Sequence, residues 1–185
     1  IAGYAQRRYG VAVPGAETAW KGLLDTALRA PGQTNSAICA RPALNEKAAP
    51  GTTSPKLAKA FDTLLACSDT LGAHDTYRYD VANTLRQVLV QVADRYHYDL
   101  QQACAKKDRE ALKTAGAHLT GLMLDLDMLL ATRPEFLLGK WLADAKRWAH
   151  DDVEARLLEW NARTQITLWG PPDGVLHGYA SKQWA

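Results

Sequence analysis

The sequence predicts an all-α fold: an irregular bundle of about six to seven antiparallel amphipathic helices with one long loop. Three observations lead there. Apolar residues recur every three or four positions through most of the chain, the spacing that places them on one face of a helix. No stretch alternates with period two for long enough to make a strand. Capping residues, prolines and glycines fall where each striped segment starts or stops. No segment recurs at a fixed period, which argues against a solenoid. The chain has 185 residues, enough for a single domain over residues 1–185 with a sizeable core.

The elements follow in order. Tyr4 to Tyr9 is a short helix that ends at Gly10, a plausible stop. Ala16 to Leu28 carries Ala16, Ala19, Trp20, Leu23, Leu24, Ala27 and Leu28 on one face, and Pro31-Gly32 breaks it. Residues 32–53 have no period and are rich in Pro, Gly, Ser, Thr and Asn. They read as a long irregular loop, either a tolerated insertion or a functional surface loop. Ser54-Pro55 reads as an N-cap with proline at the first helical position. The helix it opens runs through Leu57, Phe61 and Leu64 to about Cys67. The longest helix spans about Thr76 to Ala105, and Lys106-Lys107-Asp108 turns the chain. A second long helix covers Arg109 to Ala131. Gly116 and Gly121 sit inside it at about 1 kcal/mol each relative to Ala, which suggests close packing on a neighbour. A further helix opens near Arg133-Pro134 and carries Leu137, Trp141, Ala145 and Trp148 up to His150. Asp151-Asp152-Val153-Glu154 resembles a capping box. Val153, Leu157, Trp160 and Thr164 are expected to point inward from the last helix, which runs into Trp169 and stops at Pro171-Pro172-Asp173-Gly174.

Composition is ordinary for a globular domain, with 47% hydrophobic and 23% charged residues. A net charge of +2, with no basic block interleaved with aromatics, does not suggest a nucleic-acid partner. No apolar run reaches the length of a membrane span, and no signal-peptide pattern opens the chain. The first residue is not Met, the start looks helical, and the end falls one turn into another amphipathic segment. The chain therefore reads as a piece of a longer protein. Cys39, Cys67 and Cys104 are three, widely spaced and without a Cys-x-x-Cys, so small buried thiols are expected, although one bridge remains open.

Few residues here look like chemistry. Asp125 and Asp127 are two apart on a helix and point about 200° apart, so they cannot face one substrate. His74, His97, His118, His150 and His177 show no i, i+4 pairing and no Cys grouping, so neither a metal site nor a cofactor is expected. His118 reads as a satisfied, partly buried side chain. His177 lies in a loop near Asp173, Trp169 and Tyr179. Arg78-Tyr79-Asp80 opens the long helix, where Asp80 in the first turn suits the helix dipole. It reads as capping and packing, or as one wall of a sugar pocket. No nucleophile elbow, P-loop or dinucleotide fingerprint is present. Trp169, placed where a helix meets a Gly/Pro loop, is either a core plug or a wall of a pocket.

Four spaced motifs together resemble one family. Tyr79-Asp80-Val81-x-x-Thr84-Leu85-Arg86-Gln87 is similar to a helix of the α-N-acetylglucosaminidases of glycoside hydrolase family 89. Phe136-Leu137-Leu138-Gly139-x-Trp141, Asn161-x-Arg163-x-Gln165-Ile166-Thr167-Leu168-Trp169-Gly170 and Tyr179-Ala180-Ser181-Lys182-Gln183-Trp184 match further segments in the family's order. Arg7-Arg8-Tyr9-Gly10 and Ala19-Trp20 also fit. Nearly the whole chain is covered, and residues 32–53 match least.

The resemblance implies a C-terminal helical domain of an exo-acting, retaining enzyme for terminal α-linked N-acetylglucosamine. Its partner would be a (β/α)8 catalytic domain of the same polypeptide, which supplies both catalytic glutamates. No catalytic residue is then expected in this chain. The positions carried over as cleft-lining are Trp169, Tyr179 and Arg163. Trp169 would stack on a pyranose, Tyr179 would donate its hydroxyl to sugar, and Arg163 would pair with barrel carboxylates or hold the loop. Gly178 departs from the family, which often has Asp there. The family's usual compartments are secreted, periplasmic or lysosomal. The alternative is a helical interaction or buttress domain that contacts no sugar.

Overall fold

The computed structural model describes residues 1–28, 36, 38 and 54–166. Among these residues every regular element is helical. The helices are α1 (Ala2–Tyr9), α2 (Pro14–Leu23), α3 (Pro55–Leu65), α4 (Ser68–Leu71), α5 (Asp75–Ala105), α6 (Arg109–Ala131), α7 (Leu138–Lys146) and α8 (Asp152–Ile166). The expected all-α class holds. Among the described residues there is one helix more than the six or seven expected, because the break after Cys67 contains the single turn α4.

Most boundaries follow the sequence signals. α1 ends at Gly10 with φ 73°, a left-handed conformation that glycine adopts without a Cβ penalty. α2 starts on Pro14 at its first position. It passes at Leu24 into a π-helical turn, Leu24–Leu28, so the expected single helix to Leu28 changes register on the way. The Ser54 hydroxyl accepts from Leu57 N–H and caps α3. Asp108 does the same for α6, accepting from Ala111 N–H at 3.0 Å. At α8, Asp151 Oδ1 accepts from the N–H groups of Val153 and Glu154, both at 2.8 Å. Glu154 reaches back to His150 N–H. This is a close variant of the expected capping box.

Two expectations fail for identifiable reasons. The helix expected from Arg133 to His150 is split. Pro134 excludes α geometry from the residue before it, so Arg133 is extended (φ −129°, ψ 124°). A 3-10 turn, Pro134–Phe136, follows, Leu137 is again extended, and α7 starts only at Leu138. The glycines of α6 are not points of close approach. A Cβ on Gly116 would meet Leu100 at an ordinary 3.6 Å, and one on Gly121 would meet nothing within 4 Å. Close approaches lie elsewhere: a Cβ on Gly15 would come within 2.8 Å of Cys67 Sγ, and one on Gly22 within 2.9 Å of Ala60 Cβ, where α2 crosses α3.

The core sits where α1, α2 and α3 pack against the first half of α5. Tyr9, Ala16, Ala19, Leu64, Cys67, Leu71 and Tyr77 form one buried cluster, and Leu23, Leu57 and Ala60 form a second. Trp20 packs against both. The Tyr77 hydroxyl donates to the carbonyls of Leu64 and Leu65, satisfying the C-terminal end of α3. The two long helices, α5 and α6, pack as an antiparallel hairpin. The Cys67 and Cys104 thiols are free, and Cys67 is buried as expected. Cys39 lies outside the described residues.

Two arginines clamp the start of α5. Arg8 of α1 donates from Nε and Nη2 to the Asp80 carboxylate, the second bond at 2.6 Å. The Tyr9 hydroxyl donates to Asp80 at 2.9 Å and accepts from Trp20 Nε1 at 2.9 Å. Burial, and then the Asp80 charge, push the Tyr9 hydroxyl well above the usual tyrosine range. Arg133, before the 3-10 turn, donates to both oxygens of Asp75 and both oxygens of Glu135. Its guanidinium lies 6.0 Å from the Tyr79 ring, which stacks on Phe136 at 5.5 Å.

Candidate functional site

The cluster singled out for chemistry in the first half of the chain makes packing and ion-pair contacts. α5 starts at Asp75, so Asp80 lies in the second turn, not the first. It is buried, with its carboxylate saturated by Arg8 and Tyr9. Tyr79 is held between Phe136 and Arg133, and Arg78 reaches Asp75. Among the described residues, the contacts of Arg78-Tyr79-Asp80 are those of the packing reading. Asp125 and Asp127 are both exposed. His118 is exposed as well, tilted over Tyr96 at 5.2 Å, where a partly buried side chain was expected. Among the described residues no group of His, Cys, Asp and Glu side chains could hold a metal ion, and no helix is long and apolar enough to cross a membrane.

Of the three expected cleft residues, one is described. Arg163 lies near the end of α8 and donates from Nε and Nη2 to Glu159 Oε1, at 3.0 and 2.7 Å. Glu159 also takes Lys146 Nζ at 3.0 Å, which ties α8 to the end of α7. These two cations, Arg163 first, hold the Glu159 carboxyl below its ordinary range. Trp169 and Tyr179 lie outside the described residues, as do Asp173, His177 and Gly178.

The hairpin of α7 and α8 carries the features that the sequence did not make legible. Val153, Leu157 and Trp160, expected inward, are exposed at 68%, 55% and 53%. The reason is rotation: the face of α8 turned to α7 is the one holding Leu158 and Ala162, and the other stripe looks away. Trp148 is 81% exposed. It lies two positions past the last residue of α7, so it does not continue the inward stripe of that helix. Trp141 donates weakly from Nε1 to the Ala162 carbonyl at 3.4 Å, which orients its ring across the hairpin.

Between the two helices lies a groove of about 420 Å³, walled by Trp141, Asp144, Ala145 and Trp148 on one side and Leu158, Asn161, Ala162 and Gln165 on the other. That volume is within the range of small-ligand sites. Asp144 is paired with Lys140 at 3.0 Å and also with Arg147. Lys140, first, holds its carboxyl below the ordinary range. The charge in the groove is therefore largely balanced. The signal was present in the sequence as Trp141 and Trp148 seven apart and Asn161 and Gln165 four apart, but nothing in it showed that the two helices would face each other.

Comparison with known proteins adds the lineage. A family profile described as "Alpha-N-acetylglucosaminidase (NAGLU) C-terminal domain" matches residues 1–185. The human alpha-N-acetylglucosaminidase is 33% identical over 191 residues, covering 100% of this chain and 26% of the human protein. A family 89 glycoside hydrolase from Clostridium perfringens, in complex with PUGNAc, superposes with TM-score 0.81 at 28% identity, covering 98% of this chain and 24% of that one. A second Clostridium perfringens structure, in complex with its substrate GlcNAc-alpha-1,4-galactose, gives the same TM-score and coverage. The chain thus spans about a quarter of the length of these relatives.

Proposed function

The chain belongs to the alpha-N-acetylglucosaminidase C-terminal domain family, and on that basis we propose that it is the helical part of an exo-acting, retaining α-N-acetylglucosaminidase. In this reading it packs on a (β/α)8 catalytic domain of the same polypeptide and lines part of the cleft for terminal α-linked N-acetylglucosamine. The observation that carries the reading is the match of the whole chain to that family, together with the TM-score of 0.81 to a family 89 glycoside hydrolase.

The chemistry assigned to the catalytic domain is hydrolysis with retention. It needs an acid and a nucleophile about 5–5.5 Å apart across the scissile bond. The present chain's contribution is to wall the sugar in. Trp169 would place its indole against the apolar face of the pyranose and keep water from it. Tyr179 would donate to a sugar hydroxyl. Arg163, which donates to Glu159, would pair with carboxylates of the catalytic domain or hold the loop. The outward stripe of α8, Val153, Leu157 and Trp160, supports docking on a further domain, since a contiguous exposed apolar stripe on a helix marks an interaction surface.

The test is an assay of the full-length protein on an aryl α-N-acetylglucosaminide, with Trp169→Ala beside wild type. The expected result is cleavage with retention of anomeric configuration, read by proton NMR, and a drop in kcat/KM for the variant of about tenfold or more at unchanged melting temperature. A variant that keeps both stability and kcat/KM removes Trp169 from the cleft. Absence of cleavage by the wild type removes the enzymatic reading.

A further inference from the structure

We propose that the groove between α7 and α8 binds the neutral sugar portion of a glycan, with the indoles of Trp141 and Trp148 as stacking platforms and Asn161, Gln165 and Asp144 as hydrogen-bonding partners. The proposal rests on the glycosidase reading for the class of glycan, and on the groove itself for the site.

Four features of the groove point to a saccharide. Its lining includes two tryptophans, Trp141 within α7 and Trp148 in the turn just past it. Indole faces take the C–H faces of pyranoses, and a large aromatic left 81% exposed beside a groove is a ready platform. The opposite wall offers two amides, Asn161 and Gln165, one helical turn apart and both exposed. Neither side chain makes a hydrogen bond among the described residues. An amide carries both donors and an acceptor, the complement of sugar hydroxyls.

Charge also speaks for a neutral ligand. The carboxylate in the groove, Asp144, is already paired with Lys140 and Arg147. It still has acceptor capacity for a hydroxyl, because a carboxylate offers about four lone-pair sites. An anionic ligand would find no uncompensated cation on the walls, and a cationic one would have to compete with two standing ion pairs.

The experiment uses the full-length protein and two substrates, an aryl α-N-acetylglucosaminide and an oligosaccharide ending in α-linked N-acetylglucosamine. Trp148→Ala is the first variant, since its exposed ring makes little contribution to folding. Asn161→Ala with Gln165→Ala is the second. Each is expected to raise KM for the oligosaccharide about tenfold, the order expected for a lost platform or pair of hydrogen bonds, and to leave the aryl substrate's kcat and KM unchanged. Tryptophan fluorescence, titrated with the same oligosaccharide lacking a cleavable linkage, should respond in wild type and lose most of its response in Trp148→Ala. If the protein cleaves the aryl substrate but the variants bind and cleave the oligosaccharide as wild type does, the groove proposal falls and the enzymatic reading stands. If Trp148→Ala lowers the melting temperature by several degrees and affects both substrates alike, the groove is a seam with another part of the polypeptide and the proposal also falls. If neither substrate is cleaved, the fluorescence titration alone decides the groove.

Discussion

Asp80→Ala should be among the most damaging single changes in the chain, and its size follows from what the carboxylate holds. Asp80 is 5% exposed at its side chain and accepts from Arg8 Nε, Arg8 Nη2 and the Tyr9 hydroxyl. Removing one member of a buried, hydrogen-bonded ion pair costs about 3–5 kcal/mol, largely because the other charge is left behind. Arg8 keeps 27% of its side chain in water, which lets solvent take over part of its charge. The lower end, about 3 kcal/mol, is therefore expected. For a domain of this size that is a fall of roughly 6–12 °C in Tm. Arg8→Ala should cost a similar amount, since it strands the carboxylate. The double variant should cost about 3–4 kcal/mol and not the sum, a coupling of about 2–3 kcal/mol between the two sites. Urea unfolding followed by circular dichroism at neutral pH measures all four corners of the cycle. Single-variant losses that add to within about 0.5 kcal/mol would refute the claim that the two groups hold each other in place.

Other outcomes can be stated more briefly. Gly22→Val forces side-chain atoms into the 2.9 Å gap to Ala60 and should cost about 1–3 kcal/mol. Gly121→Ala meets nothing within 4 Å and should stabilise α6 by about 0.5–1 kcal/mol; thermal melts of the pair read both signs at once. Leu64→Ala opens a cavity in the fully buried cluster and should cost about 2–5 kcal/mol. The hydrogen bonds from Arg133, and then Arg78, hold the Asp75 carboxyl at about 2. This is a depressed folded-state value against an ordinary one near 3.9. Its contribution is therefore complete above about pH 4 and is lost as the pH falls towards 2. Melting temperatures between pH 5 and 2 should decline less steeply in Asp75→Asn than in wild type. Because Asp75 is exposed, the difference should shrink in high salt.

The helices were legible because each has its own local signals. Ser54, Asp108 and Asp151 mark starts, Gly10 marks a stop, and the α5 and α6 boundaries fall within one residue of expectation. Local periodicity does not say which stripe meets which neighbour. Val153, Leu157 and Trp160 form a good helical stripe, yet it is the wrong one for α7. Nor did it expose partners distant in sequence: Asp80 looked like a helix-dipole residue because Arg8 is 72 positions away. Pro134 accounts for the extended Arg133 before it, but no local signal marked the second break, at Leu137. The candidate groove needed two helices to be brought face to face. Of the cleft residues named from the family resemblance, Arg163 is seen in an ion pair with Glu159, and the parts assigned to Trp169 and Tyr179 remain proposals.

The clasp between Arg8 and Asp80 also sets a timetable for synthesis. The first helix leaves the ribosome 72 residues before its anchor, a lag of about 4 to 14 s at roughly 5–20 residues per second. Throughout that interval Tyr9 and Trp20 have no α5 to lie against, and the nascent segment must be kept from adhering to other chains. Slowing translation before Asp80 would lengthen that vulnerable interval without altering a single contact of the finished molecule.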